Sequence, residues 1–145
     1  MRSPAGDAVS ELVVHVFRLN GLLLALGDQM AEPSGQTSAR WRVLAAIDDA
    51  PLTVAQVARA WWLARQSVQR IADVLVEDGL AAYEPNPSHR RAQLLRITPA
   101  GRAALREIRG RQVAWAEDLG GRVGGADLQA ANATLARVLE ALTSS

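Results

Sequence analysis

Thr53-Val-Ala-Gln-Val-Ala-Arg-Ala-Trp-Trp-Leu63, followed by Ala64-Arg-Gln-Ser-Val-Gln-Arg-Ile-Ala-Asp-Val-Leu-Val-Glu-Asp-Gly-Leu80, is the stretch that organises the chain. Val54, Val57, Ala58 and Trp61 recur at intervals of three and four, the period of one apolar helix face. Thr53 stands where a hydroxyl can accept from the free amides of a first turn. Val68, Ile71, Ala72, Leu75 and Val76 form a second such stripe, and Gly79 offers the left-handed residue that closes a helix. Two short strand candidates follow, Leu80 to Glu84 and Ala92 to Ile97, joined by the turn chemistry of Asn86-Pro87-Ser88. Helix, turn, helix and hairpin in this order predict a mainly α (α+β) chain carrying a winged helix-turn-helix with a two-stranded wing.

Arg65, Gln66, Gln69, Arg70 and Asp73 fall off the apolar stripe of the second helix, and Ser67 lies among them. Arg can bond guanine O6 and N7 together, and Gln can do the same with adenine. His89, Arg90 and Arg91 sit at the hairpin tip, where arginines can follow phosphates or enter a minor groove. Taken singly, each group is what an ordinary solvated helix face or a soluble turn also shows. Their succession in one stretch points to double-stranded DNA.

The charge pattern agrees. All 16 basic residues are Arg, and the net charge of +1 conceals a basic centre. Residues 53–111 hold ten Arg against five acids, whereas residues 1–52 and 112–145 each carry −2. A basic middle suits a polyanion, and the ends suit a protein–protein role. The absence of Cys excludes disulfides and thiolate metal sites, and fits a reducing compartment. No secretory leader pattern opens the chain, and the uninterrupted apolar stretches are far short of a membrane span, so a cytoplasmic protein without a membrane partner is expected.

The flanks read as helices. Met1 to Asp7 is expected to fray, and Ala8 to about Met30 forms a long helix apolar over more than one face. Glu32-Pro33-Ser34-Gly35 interrupts it, and Ser38 opens a helix with Trp41, Leu44, Ala45 and Ile47 inward. Thr98-Pro99 caps and opens another long helix, which Gly120-Gly121 and Gly124-Gly125 are expected to break. A last helix carries Leu128, Ala131, Leu135, Val138, Leu139 and Leu142 near heptad spacing. Residues 1–145 therefore form one domain, with 37–98 as the winged lobe and 8–32 and 99–143 as a helical dimerisation arm, apolar enough to call for a second copy.

Catalysis finds little support. The only histidines are His15 and His89, far apart, and Glu11 and His15 make an ordinary i,i+4 pair. Asp48-Asp49 and Glu77-Asp78 read as helix-end charges, and the diglycines lack the strand and Lys of a phosphate loop. No catalytic residue, metal site or cofactor is expected.

The stretch from Gln36 to Leu105 resembles the MarR family of bacterial transcriptional regulators. The likeness rests on an ordered set: Thr37-Ser38-Ala39-Arg40-Trp41-Arg42-Val43-Leu44, Arg65-Gln66-Ser67-Val68-Gln69-Arg70, Asp78-Gly79-Leu80, Arg90-Arg91-Ala92 and Leu95-Arg96-Ile97-Thr98-Pro99-Ala100-Gly101-Arg102. It implies a homodimer, base readout by the second helix, minor-groove contact by a wing arginine, and frequent release by a small ligand. Ser38 and Thr53 join the candidate DNA contacts. His15, Phe17, Arg18, Trp41 and Trp115 are the candidates for a site that takes a small aromatic effector, although each also reads as an ordinary core or interface residue. Four positions depart from the family pattern. Asn86 and His89 replace acids of the wing, Ala64 replaces a capping Ser or Thr, and Trp62 replaces a turn Gly, where it is expected to cover the core. The functional expectation is a sequence-specific regulator, a repressor, on a pseudo-palindrome. A winged-helix module that binds an acidic protein is the alternative.

Overall fold

The computed structural model describes residues 1–144. Ten elements follow one another: helix α1 (Pro4–Ala31), a 3-10 turn (Glu32–Ser34), α2 (Ser38–Ala46), strand β1 (Leu52–Thr53), α3 (Val54–Trp61), α4 (Arg65–Glu77), β2 (Ala81–Glu84), β3 (Leu94–Ile97), α5 (Pro99–Val123) and α6 (Gly125–Thr143). The contacts divide the chain into two compact units, Met1–Ile108 and the residues from Arg109 onward, so the division falls inside α5.

In the first unit, Val43, Leu44 and Ile47 of α2, Val57 and Ala58 of α3, and Val68, Ala72 and Leu75 of α4 close on Ala81, Leu95 and Ile97 of the sheet and Leu105 of α5. Periodic stripes of three helices thus meet on one face of a small sheet. Burying each of the larger aliphatic side chains stabilises the unit by about 1.5–3 kcal/mol before entropy is counted. The sheet is antiparallel in the order β1-β3-β2, with Tyr83 opposite Leu95 and Leu52 opposite Leu95 from the other side. The sequence reading has only the two wing strands. β1 adds a third, two residues long, too short for a period to be read. The wing strands are also shorter than expected, because the chain from Pro85 to Gln93 forms turns instead of ladder.

The helix ends explain the local geometry. Thr53 and Gln56 form a capping box, with Gln56 N–H donating to Thr53 Oγ1 at 3.1 Å and Thr53 N–H to Gln56 Oε1 at 2.8 Å. α4 ends with Leu80 N–H on the Leu75 carbonyl and Gly79 N–H on that of Val76, the paired closure that a left-handed residue permits. Gly79 supplies that residue at φ 78°. α3 closes with the same pair of bonds, Leu63 N–H to Ala58 and Trp62 N–H to Arg59, but its left-handed residue is Trp62 at φ 54°. Thr98 Oγ1 accepts from Gly101 N–H and donates to the Gly79 carbonyl, joining the start of α5 to the end of α4.

Three expectations change. α1 begins at Pro4, because Ser3 caps it by accepting from Gly6 N–H and Pro suits a first helical position. α2 begins at Ser38 as expected, with Thr37 as its cap. α5 runs through Gly120-Gly121, spanned by an Asp118–Arg122 ion pair at 3.1 Å, and the chain turns only where Gly124 takes φ 109°. The stretch Pro4–Ser34 has a mean hydropathy of 1.6 over an 18-residue window, so by length and composition alone one helix could span a membrane. The uninterrupted runs looked too short because single polar residues divide them.

Candidate nucleic-acid interface

α4 is held by its buried stripe, and this fixes which side chains turn outward. Arg65, Gln66, Gln69 and Arg70 are exposed, and Ser67 is half-buried. The helix has no side-chain cap: Ala64 leaves the first amides without the hydroxyl that a Ser or Thr would give. Those donors and the arginines share one end of the helix, a pairing suited to anions.

A cleft of about 280 Å³ lies between this helix and the wing. Arg65, Gln69 and Asp73 of the helix and Tyr83, Arg91 and Gln93 of the wing line it, together with Thr53. It therefore brings together candidates from the second helix and the hairpin. At the wing tip Asn86 is occupied locally, its Oδ1 accepting from Ser88 N–H at 3.0 Å and its carbonyl from His89 N–H at 3.2 Å. His89, Arg90 and Arg91 are exposed, and among the described residues neither arginine forms an ion pair. The turn is thus shaped by an Asn side chain and not by an acid that braces an arginine.

Two candidates are spent inside the fold. Ser38 is buried, its hydroxyl donating to the Leu24 carbonyl and its N–H to Asp28 Oδ1, each at 2.7 Å, so that it ties α2 to the end of α1. Thr53 is 9% exposed and engaged in its capping box. Trp62 does not cover the core: it is 78% exposed, because the left-handed turn points it outward. Trp61 instead stacks under the Arg42 guanidinium, 5.7 Å from the ring centroid.

The sequence reading missed Tyr83. Its hydroxyl donates to Asp73 Oδ1 at 2.6 Å and accepts from Gln69 Nε2 at 2.9 Å, and Nε2 also reaches Asp73 Oδ1 at 3.0 Å. This network fastens β2 to the outer face of α4. Burial, followed by the bond to and the charge of Asp73, pushes the Tyr83 pKa up to about 12, against a smaller opposing effect of Gln69. The Gln69–Asp73 spacing of four was a visible signal; the tyrosine ten residues later was not.

Of the effector candidates in the first unit, His15, Phe17 and Arg18 are exposed on α1, whereas Trp41 is half-buried against the core. Trp115 lies in the second unit and is half-buried. A cavity of about 450 Å³ in the first unit is lined elsewhere, by Asp48, Asp49, Arg96, Arg102, Arg106 and their neighbours. Among the described residues no group of three or more His, Cys, Asp or Glu could hold a metal ion.

An outward Arg/Gln helix beside an arginine-tipped hairpin defines a winged-helix DNA-binding regulator. Comparison with known proteins gives the particular family. Residues 34–92 match the MarR family. An uncharacterised protein of Mycobacterium tuberculosis is 42% identical over 136 residues, which cover 94% of this chain and 95% of the relative. A MarR-family regulator of Silicibacter pomeroyi superposes with a TM-score of 0.82 at 25% identity, over 99% of this chain and 96% of its own. The transcriptional repressor CouR, solved on a 23-mer DNA duplex, superposes with a TM-score of 0.80 at 23% identity, over 96% and 99% of the two chains. The chain belongs to the MarR family of transcriptional regulators.

Proposed function

We propose that the protein is a homodimeric, cytoplasmic repressor that reads a pseudo-palindromic operator with α4 and steadies itself through the wing. The observation that carries this reading is the outward set Arg65, Gln66, Gln69 and Arg70, faced across the cleft by Arg91, with His89 and Arg90 exposed at the tip. CouR, of the same fold, is solved on duplex DNA and supports the comparison. Two recognition helices would enter successive major grooves about one helical turn, roughly 10 bp, apart.

The dimer rests on α1. Val9, Val13, Val16, Phe17, Leu19, Leu22 and Leu23 are 42% to 72% exposed there, an apolar surface that a second copy would cover. A small aromatic acid that meets Arg18 and His15 on this helix would act as effector, and such acids would then release the DNA.

Arg65→Ala and Arg70→Ala test the readout. Each should cost about 1–3 kcal/mol on the operator and relax base preference, whereas Arg90→Ala should weaken all duplexes alike. Equal losses on operator and random duplex for Arg65→Ala would contradict base readout.

A further inference from the structure

The geometry points to Gln69 as a base-reading side chain whose amide is held one way round by Asp73 and Tyr83, so that it presents its carbonyl oxygen and selects a base with an exocyclic amine, adenine or cytosine. This rests on α4 being the DNA-reading helix and adds which chemical end of Gln69 does the reading.

The orientation follows from counting protons. A carboxylate only accepts, so Asp73 needs a donor from Gln69. Tyr83 has a single hydroxyl proton, and its 2.6 Å contact sends that proton to Asp73. Towards Gln69 the hydroxyl therefore also accepts. Both partners demand the NH2 end, at 3.0 and 2.9 Å, and turning the amide over would set its oxygen against two acceptors. Gln69 Oε1 takes no partner among the described residues, and the side chain is exposed beside Arg65 and Gln66, with which it lines a shallow depression. In the major groove adenine N6 and cytosine N4 donate, whereas guanine and thymine offer only acceptors at their exocyclic oxygens. An unheld Gln can turn either end to the base; this one cannot do so without breaking the network. Asp73 and Tyr83 are positioning residues and need no contact with DNA.

The test is selection of bound duplexes from a randomised library by the full-length protein. Gln69→Ala identifies the base pair read by residue 69 as the position whose preference collapses. In the wild type that position should favour adenine or cytosine by about tenfold or more, in line with the discrimination of a good side-chain–base contact. The double variant Asp73→Ala/Tyr83→Phe, matched to the wild type by circular dichroism, should lower that preference to roughly twofold and leave the positions set by Arg65 and Arg70 intact, a pattern that general loss of stability would not give. A second readout needs no variant: wild-type protein on a duplex whose base at that position lacks only its exocyclic amine should bind about tenfold more weakly. Guanine or thymine at the Gln69 position, an unchanged preference in the double variant, or no effect of amine removal would each overturn the proposal while leaving α4 as the reading helix. A wild type that enriches no sequence would overturn the helix assignment and this proposal together.

Discussion

The Tyr83 hydroxyl donates to the Asp73 carboxylate at 2.6 Å, a bond that joins a wing strand to the outer face of α4 across ten residues of chain. Tyr83 is the only tyrosine, so tyrosinate absorbance reports it alone. Its folded pKa, about 12, lies above the ordinary value of 10.0. The folded state therefore holds this proton more tightly, and the associated stability is fully present below pH 10 and lost as pH rises from about 10 towards 12. Native protein should titrate near 12 and the Asp73→Ala variant lower; equal midpoints would contradict the bond.

Gly101 has no room for a side chain, because a Cβ there would meet the Leu80 carbonyl oxygen and the Ile97 side chain. Gly101→Ala should destabilise by about 1–3 kcal/mol, the usual cost of overpacking. Gly120→Ala should do the reverse. It lies inside α5 with nothing within 4 Å of the added carbon, so a gain of about 0.5–1 kcal/mol is expected. Thermal melts of the pair decide it.

Trp62 at φ 54° occupies a backbone region that costs a non-glycine residue about 1–2 kcal/mol. Because the ring is 78% exposed, little packing offsets that cost. Trp62→Gly should therefore raise the melting temperature. A fall would mean that the indole is covered in the assembled protein.

The apolar face of α1 gives a prediction about assembly. Leu22, 63% exposed, should become buried in a dimer. Leu22→Glu should shift sedimentation from dimer to monomer and, through loss of the second half-site contact, weaken operator binding. A variant that remains dimeric would place the interface elsewhere.

What could be read from the sequence depended on range. The stripe Val68, Ala72 and Leu75 was legible because its period is local, and Gly79 and Thr98-Pro99 marked the ends of α4 and α5 by their own chemistry. β1 was not, because two residues carry no alternation. Gly120-Gly121 misled, since helix propensity is a weak local preference and the flanking Asp118–Arg122 pair favours continuation. At the site, the outward Arg and Gln residues were legible from their angle on the helix. The engagement of Ser38 and the Tyr83 network were not, since both depend on partners in other elements.

The central claim is sequence-specific DNA binding. Its most direct test is fluorescence anisotropy of the full-length protein on duplex from upstream of its own gene and on a scrambled duplex, at two salt concentrations. Specific binding at least about 10³-fold tighter than to the scrambled duplex, with affinity falling steeply as salt rises, is the predicted result. Equal, weak binding to the upstream and scrambled duplexes, extended to the rest of the source genome by selection of bound fragments without enrichment, would contradict it.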